Sequence, residues 1–215
     1  MGVILAMIFM VVEILSMMFG HTFANITILG IHFHFIVGVI YFCFGFWVLD
    51  LITELYNEKF ADKVIYGKIF CQLLFVALMH IGILIGNDSN LPNIMQSISF
   101  MPRMIAAGVV ASLIGYKLTT HIMQKLKIRY EGKFVTIRYL VSTIPGEFVF
   151  SFVYSFLFLY NEYPLSEYIK IFYSLAAAKL AFSLLFATIF KPATNMIIFI
   201  TKKTLTYRTT ITHIK

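Results

Sequence analysis

Residues 134–160 read FVTIRYLVSTIPGEFVFSFVYSFLFLY. About 20 apolar residues cross a bilayer as a helix, and this run is longer than that. Its only ionisable side chains apart from tyrosines are Arg138 and Glu147, and Pro145-Gly146 falls in its middle. A soluble core helix is shorter and carries a polar face, so the stretch reads as a membrane span with a carboxylate inside it.

Working outward, five more runs have the same character: Val3–Gly20, Phe33–Leu55, Ile69–Gly86, Ile98–Met123 and Tyr168–Phe190. The last has an apolar extension towards Ile200, beyond Lys191-Pro192. Proline disfavours uninterrupted helix, so a kink or an interfacial end is expected there. The first run has no basic region before it and no A-x-A site after it, so it reads as a span rather than a cleaved signal peptide. Over the 215 residues 60% are hydrophobic, 13% are charged and the mean hydropathy is +0.88. Soluble folds carry roughly 25% charged residues. The composition excludes a soluble globular enzyme, a disordered chain and a fibre. The expected fold class is an all-α integral membrane protein, a six-transmembrane-helix bundle forming one domain over residues 1–215.

The net charge of +7 does not indicate nucleic acid, because the bases punctuate hydrophobic segments. Lys59, Lys63 and Lys68 follow the second run. Lys125, Lys127, Arg129 and Lys133 follow the fourth, and Lys202, Lys203, Arg208 and Lys215 form the tail. The connections 21–32, 87–97 and 161–167 hold no Lys or Arg. The positive-inside rule then puts both termini and the two basic loops in the cytoplasm. Cys43 and Cys71 both lie in apolar runs and read as packing residues. The connections are too short for a soluble domain, and no nucleotide, metal or cofactor motif is visible. The expectation is a non-enzyme without a cofactor, whose partners are the lipid bilayer and a small ligand. The oligomeric state stays open, a homodimer being one possibility.

An ionisable group near the bilayer centre costs at least about 2.5 kcal/mol, so it is paired or used. The candidates are Glu13, Asp50, Glu54, Arg103, Lys117, Arg138, Glu147 and Lys179, with His80 and His121. Asp50 and Glu54 share a helix face. Lys117 and His121 give the fourth run a polar edge. Thr136, Thr143, Glu147, Ser151 and Tyr154 line one stripe of the fifth, with Arg138 and Ser142 roughly opposite. For Arg103, Arg138, Lys179 and Glu54 two readings stand, intramembrane groups or snorkelling ones near span ends. His80 reads as a helix–helix hydrogen-bonding residue. Ala107, Ala111 and Gly115 read as a small-residue ridge for close helix packing. Glu147 is mid-span beside Pro145-Gly146, and interrupted helices with polar groups at the midplane mark substrate sites.

The order of several motifs resembles that of the queuosine precursor transporters, also called the vitamin uptake transporter family, small six-helix bacterial inner-membrane proteins. The family's D-x-x-T-E-x-Y-G stretch appears as Asp50, Thr53, Glu54 and Tyr56, with Asn57 in place of glycine, followed by the basic Lys59–Lys68 segment. Phe23-Ala24-Asn25-Ile26 looks like its A-N segment. Pro102-Arg103 with Ala107 and Ala111, Lys125-Leu126-Lys127, Arg138 with Ser142-Thr143, and Lys179 fall at family spacing. Two Ser/Gly-Gln/Asn-x-x-Asp motifs of the family are replaced, by Gly115-Tyr116-Lys117-Leu118-Thr119 and Gly146-Glu147-Phe148-Val149-Phe150. Their glycines are kept, and Glu147 stands at the second amide position.

The resemblance implies a bacterial inner-membrane importer of a queuosine precursor or salvaged 7-deazaguanine base (queuine, preQ1 or preQ0). It implies a site where Glu147 and either Asp50 or Glu54 accept from ring donors, Tyr116 or another aromatic stacks, Arg103, Arg138 and Lys179 keep those carboxylates ionised and shape the cavity, and Ser142 lies among them. Two alternatives stand beside it: the substrate-binding subunit of an energy-coupling-factor vitamin transporter, for which Gly2-x-x-x-Ala6 would be the docking step, and a non-transport membrane scaffold.

Overall fold

The computed structural model describes residues 1–20, 22–28, 31–85, 101–159 and 165–212. Six helices and one hairpin follow in order: α1 (Gly2–Met18), β1 (Phe23–Ile28), β2 (Ile31–Ile36), α2 (Gly38–Leu55), α3 (Glu58–Ile85), α4 (Met101–Arg129), α5 (Val135–Leu159) and α6 (Leu165–Thr212). Among the described residues five helices are long and apolar enough to cross a membrane, and the 17-residue α1 falls just short. The all-α membrane bundle expected from the sequence is present.

α2 is the hub, packed against α1, α4 and α6. Apart from Asp50, Thr53 and Glu54 it is apolar, and Phe42, Cys43, Phe46 and every residue from Val48 to Thr53 are buried. A helix buried on nearly every side belongs in the middle of a bundle. α3 is one-sided. Ala61, Val64, Ile65, Lys68 and Gln72 are buried at helical spacing, while Phe70, Leu74, Leu78, Ile81 and Ile85 are exposed. Such a coat suits lipid, where burying apolar surface brings no advantage.

α4 and α5 make the closest helix pair. A Cβ on Gly115 would come 2.6 Å from Phe150 Cβ, and one on Gly146 would run into Thr119 Oγ1. The two glycines therefore face each other and let the backbones touch. With Ala107 and Ala111 buried on the same ridge, the small-residue reading of α4 is correct. Pro145 is accommodated within α5, which stays helical throughout.

Three boundaries differ from the sequence reading. The second run is helical only from Gly38. Its first residues belong to the hairpin, paired in register from Phe23↔Ile36 to Ile28↔Ile31. Ile31-His-Phe-His-Phe-Ile36 alternates apolar and polar side chains, a period of two that favours strand over helix. The hairpin is closed by Val37 N–H donating to Thr22 O at 2.8 Å and Gly38 N–H to Phe19 O at 3.1 Å.

The Lys59–Lys68 segment is not a loop. Asn57 caps α3 by accepting from Phe60 N–H at 2.9 Å, an N-cap arrangement that starts the helix at Glu58. Lys68 is consequently carried into the bundle, 2% exposed. At Lys191-Pro192 no interfacial end occurs: α6 continues through the proline for 48 residues in all, roughly 72 Å at 1.5 Å per residue. His80 bonds Val76 O of its own helix at 2.9 Å and is exposed, so among the described residues it joins no second helix. The 87–97 connection, the first residues of the fourth run and most of the 161–167 connection lie outside the described residues.

One end of the bundle gathers the basic turns. Gly2 lies against the Tyr56 and Phe60 rings, Lys127 Nζ donates to Glu54 O, and Glu58 meets His121 at 3.2 Å. The start of α1, the α2–α3 turn and the α4–α5 turn thus share this end. The step from Gly2 to Ala6 is occupied at Gly2 by the chain's own rings.

Candidate functional site

Polar groups ascend from that end in layers. In the first, Arg138 Nη1 and Nη2 donate to Glu54 Oε2 and Oε1 at 2.6 and 3.0 Å. Arg138 also donates to the Gly132 and Lys133 carbonyls, at 3.0 and 2.8 Å. Gly132 is in the left-handed region, φ 77°, and its carbonyl would otherwise lack a partner at this helix end. Arg138 therefore ties α2 to the α4–α5 turn and does not snorkel. Ser142 Oγ bonds Arg138 O at 2.8 Å, within its own helix.

One turn further in, Asp50 is 0% exposed. Its Oδ2 accepts from Thr143 Oγ1 at 2.5 Å, and its Oδ1 has no partner among the described residues. Beyond it, α5 and α6 are joined by two rungs in antiparallel register. Ser183 Oγ donates to Glu147 Oε2 at 2.6 Å, and Lys179 Nζ donates to Ser151 Oγ at 2.7 Å. Glu147 Oε1 has no partner among the described residues. The Lys179 ammonium lies 3.7 Å from the Phe42 ring centroid and 5.3 Å from that of Phe150, a cation–π position.

A fourth group sits across the bundle. Glu13 Oε2 meets Lys68 Nζ at 3.2 Å, and Glu13 Oε1 accepts from Tyr116 Oη at 2.6 Å. Lys68 also donates to Ser112 Oγ at 2.6 Å. Gly45 leaves the space that the Glu13 carboxylate occupies. Tyr116 forms the back of a box of rings, 4.4 Å from Phe46 and 5.3 Å from Phe150 between centroids.

Between these groups lies a cavity of about 110 Å³, space for several water molecules. Glu13, Lys68 and Lys179 bring charge to its wall, Gln72 and Ser151 hydrogen-bonding groups, and Phe42, Phe150 and Tyr154 flat apolar faces. A second groove opens between α5 and α6, lined by Glu147, Phe148, Tyr173 and Leu180. It shares Ser151 and Lys179 with the central cavity.

Of the residues singled out from sequence, Lys179 lines both cavities, Glu147 lines the α5–α6 groove, and Tyr116 supports Glu13 from behind. Asp50, Glu54, Arg138 and Ser142 form the adjoining layers nearer the turns. Arg103 is half-buried in the first turn of α4, at the other end of that helix from the Arg138 layer. On the polar edge of α4, Lys117 donates to Tyr66 Oη at 2.5 Å and His121 meets Glu58.

The sequence reading left Glu13 outside the site and read Lys68 as a loop base. The missed signal was the stripe Ala61, Val64, Ile65, Lys68, Gln72, which places Lys68 on the buried face once Asn57 is recognised as a cap. Phe42 and Phe150 carried no signal among 23 phenylalanines.

Residues 36–196 match the family model described as "Putative vitamin uptake transporter". No curated protein and no solved structure matches the chain.

Proposed function

Because the chain belongs to the vitamin uptake transporter family, we propose that it imports a queuosine precursor or a salvaged 7-deazaguanine base (queuine, preQ1 or preQ0) through the central cavity. The protein is a multi-pass membrane protein of a transporter family, so its cargo is a small molecule. The observation that supports this cargo is the chemistry of the cavity wall: one carboxylate, two ammonium groups and an amide beside aromatic faces, of which Phe150 and Tyr154 lie within 18° of parallel. A 7-deazaguanine presents ring N–H and exocyclic amine donors along one edge, which Glu13 would accept. Its carbonyl would accept from Lys68 or Gln72. One flat face would lie against the near-parallel rings of Phe150 and Tyr154, with the Lys179 ammonium on Phe42 beside it. Ligand pockets combine such apolar walls with a few placed polar groups. The bundle would sit in a bacterial inner membrane with its basic turns in the cytoplasm.

The test is ligand-induced thermal stabilisation of the purified protein by queuine, preQ1 and preQ0, with uptake into proteoliposomes. At least one of the three should stabilise the wild type and be taken up. Glu13→Gln combined with Lys68→Gln keeps the buried charge balanced and should weaken binding about tenfold to a hundredfold, the worth of one charge-assisted hydrogen bond. Stabilisation by an unrelated vitamin and by none of these bases would overturn the reading.

A further inference from the structure

The buried charges of the bundle do not cancel among the described residues. Glu13 is matched by Lys68 and Glu54 by Arg138. Asp50, Glu147 and Lys179 remain. Among the described residues no carboxylate comes within 4 Å of the Lys179 ammonium, which is turned instead to Ser151 and the Phe42 ring. With all three ionised, the set carries one net negative charge, and two carboxylate oxygens, Asp50 Oδ1 and Glu147 Oε1, are buried and bare. An unpaired ion in such a place is expensive, and a single proton on either carboxylate neutralises the set.

The two carboxylates differ in access. Asp50 is sealed at 0% exposure between α2 and α5. Glu147 is only 4% exposed, yet it lines the α5–α6 groove. The titratable groups within electrostatic reach of Glu147 are Lys179 and, across the groove, Tyr173 on α6, Cys43 and Asp50 on α2, Tyr116 on α4 and Tyr139 on its own helix. Near neutral pH the cation in that set is Lys179. Lys179 forms a wall common to the groove and the central cavity.

We propose that Glu147 is a proton-binding site that couples proton entry from the α5–α6 groove to substrate movement in the central cavity, with Lys179 carrying the coupling between them. The proton adds to the Glu147 carboxylate and leaves as the same ion, so nothing else is consumed. While Glu147 is protonated, Lys179 stays on Ser151 and Phe42 and presents its charge to the cavity. When the proton leaves, the carboxylate one helical turn along draws the ammonium towards it, and the cavity loses that charge. Coupling of this kind is reciprocal: proton occupancy changes substrate affinity, and substrate changes proton affinity by the same factor. The proton site stands on its own geometry, and its role in transport rests on the function proposed above.

Two measurements test it. Infrared spectroscopy of the full chain in lipid nanodiscs, without substrate, reads the carbonyl stretch of a protonated carboxyl group as pH is varied. The wild type should show a titrating band that Glu147→Gln removes, Asp50→Asn retains and Glu147→Asp moves. A band unchanged by both Glu147 substitutions overturns the proposal. In proteoliposomes with queuine, an inward proton gradient should drive accumulation by the wild type. Glu147→Gln should equilibrate and exchange queuine yet lose the gradient-driven accumulation entirely. Accumulation by Glu147→Gln equal to wild type also overturns it. Absence of any queuine exchange by the wild type counts against the proposed cargo instead, and the infrared band then decides the proton site alone.

Discussion

Arg138 grips Glu54 through two N–H bonds across 84 residues of sequence, with the arginine 0% exposed and the carboxylate 9%. The fork geometry holds α2 and α5 in one rotation, because a bidentate pair fixes direction as well as distance. Everything one turn further in, Asp50 on α2 and Thr143 on α5, inherits that alignment.

Removing one partner strands the other charge. Glu54→Gln should therefore destabilise the protein by about 3–5 kcal/mol and reduce its folded yield. Glu54→Gln combined with Arg138→Gln should recover part of the loss. Melting of the single and double variants in detergent measures this, and purely additive losses would show that the pair is not energetically coupled.

The Gly115–Gly146 contact yields a steric prediction. Gly146→Ala must push α4 and α5 apart, since the new methyl would meet Thr119 Oγ1 and lie 3.1 Å from the Gly115 carbonyl. Overpacking of this kind costs about 1–3 kcal/mol. Gly82→Ala, with nothing among the described residues within 4 Å of the new methyl, should cost nothing measurable. Equal melting temperatures for the two variants would mean that the helices are not in backbone contact.

Much of this bundle was legible because the bilayer imposes length. The run 134–160 needed only a count of apolar residues to be read as a span, and α5 covers most of it. Side-chain partners were not legible in the same way. Lys68 has the same local chemistry as Lys63, and only the capping geometry at Asn57 separates a loop base from the counter-ion of Glu13. The hairpin was hidden because Phe33-His-Phe-Ile36 is as hydrophobic as a helix, and its period of two was masked by the apolar run that follows. Glu147 and Lys179 were visible as charges in apolar sequence. That they are separate rungs on Ser183 and Ser151, and not one ion pair, depends on helix register that composition does not encode.

Tyr116 tests the charge on Glu13. Its hydroxyl donates to Glu13 Oε1 at 2.6 Å and its ring packs on Phe46. Tyr116→Phe keeps the packing and removes one hydrogen bond to a charged group, worth about 1.5–3 kcal/mol. Lys68→Met leaves the Glu13 carboxylate without its base and should cost more, about 3–5 kcal/mol. Thermal melting should rank wild type above Tyr116→Phe and Tyr116→Phe above Lys68→Met. A Tyr116→Phe variant as stable as wild type would show that the hydroxyl bonds no ionised group.

The orientation of the bundle follows from joining the charge pattern to the fold. Gly2, the α2–α3 turn and the α4–α5 turn share one end, and that end carries Lys59, Lys63, Lys125, Lys127, Arg129 and Lys133. The hairpin strands close α1 and α2 at the opposite end, and the 21–32 connection that contains most of them has no Lys or Arg. Basic loops are retained on the cytoplasmic side during insertion, so the hairpin end should face outward. In a variant whose two native cysteines are replaced, a single cysteine at the exposed Thr22 should react with a membrane-impermeant maleimide in intact cells. One at the exposed Glu131 should react only after permeabilisation. Labelling of Glu131→Cys and protection of Thr22→Cys in intact cells would invert the orientation. Labelling of both in intact cells would place the two ends on one side, which six alternating spans forbid.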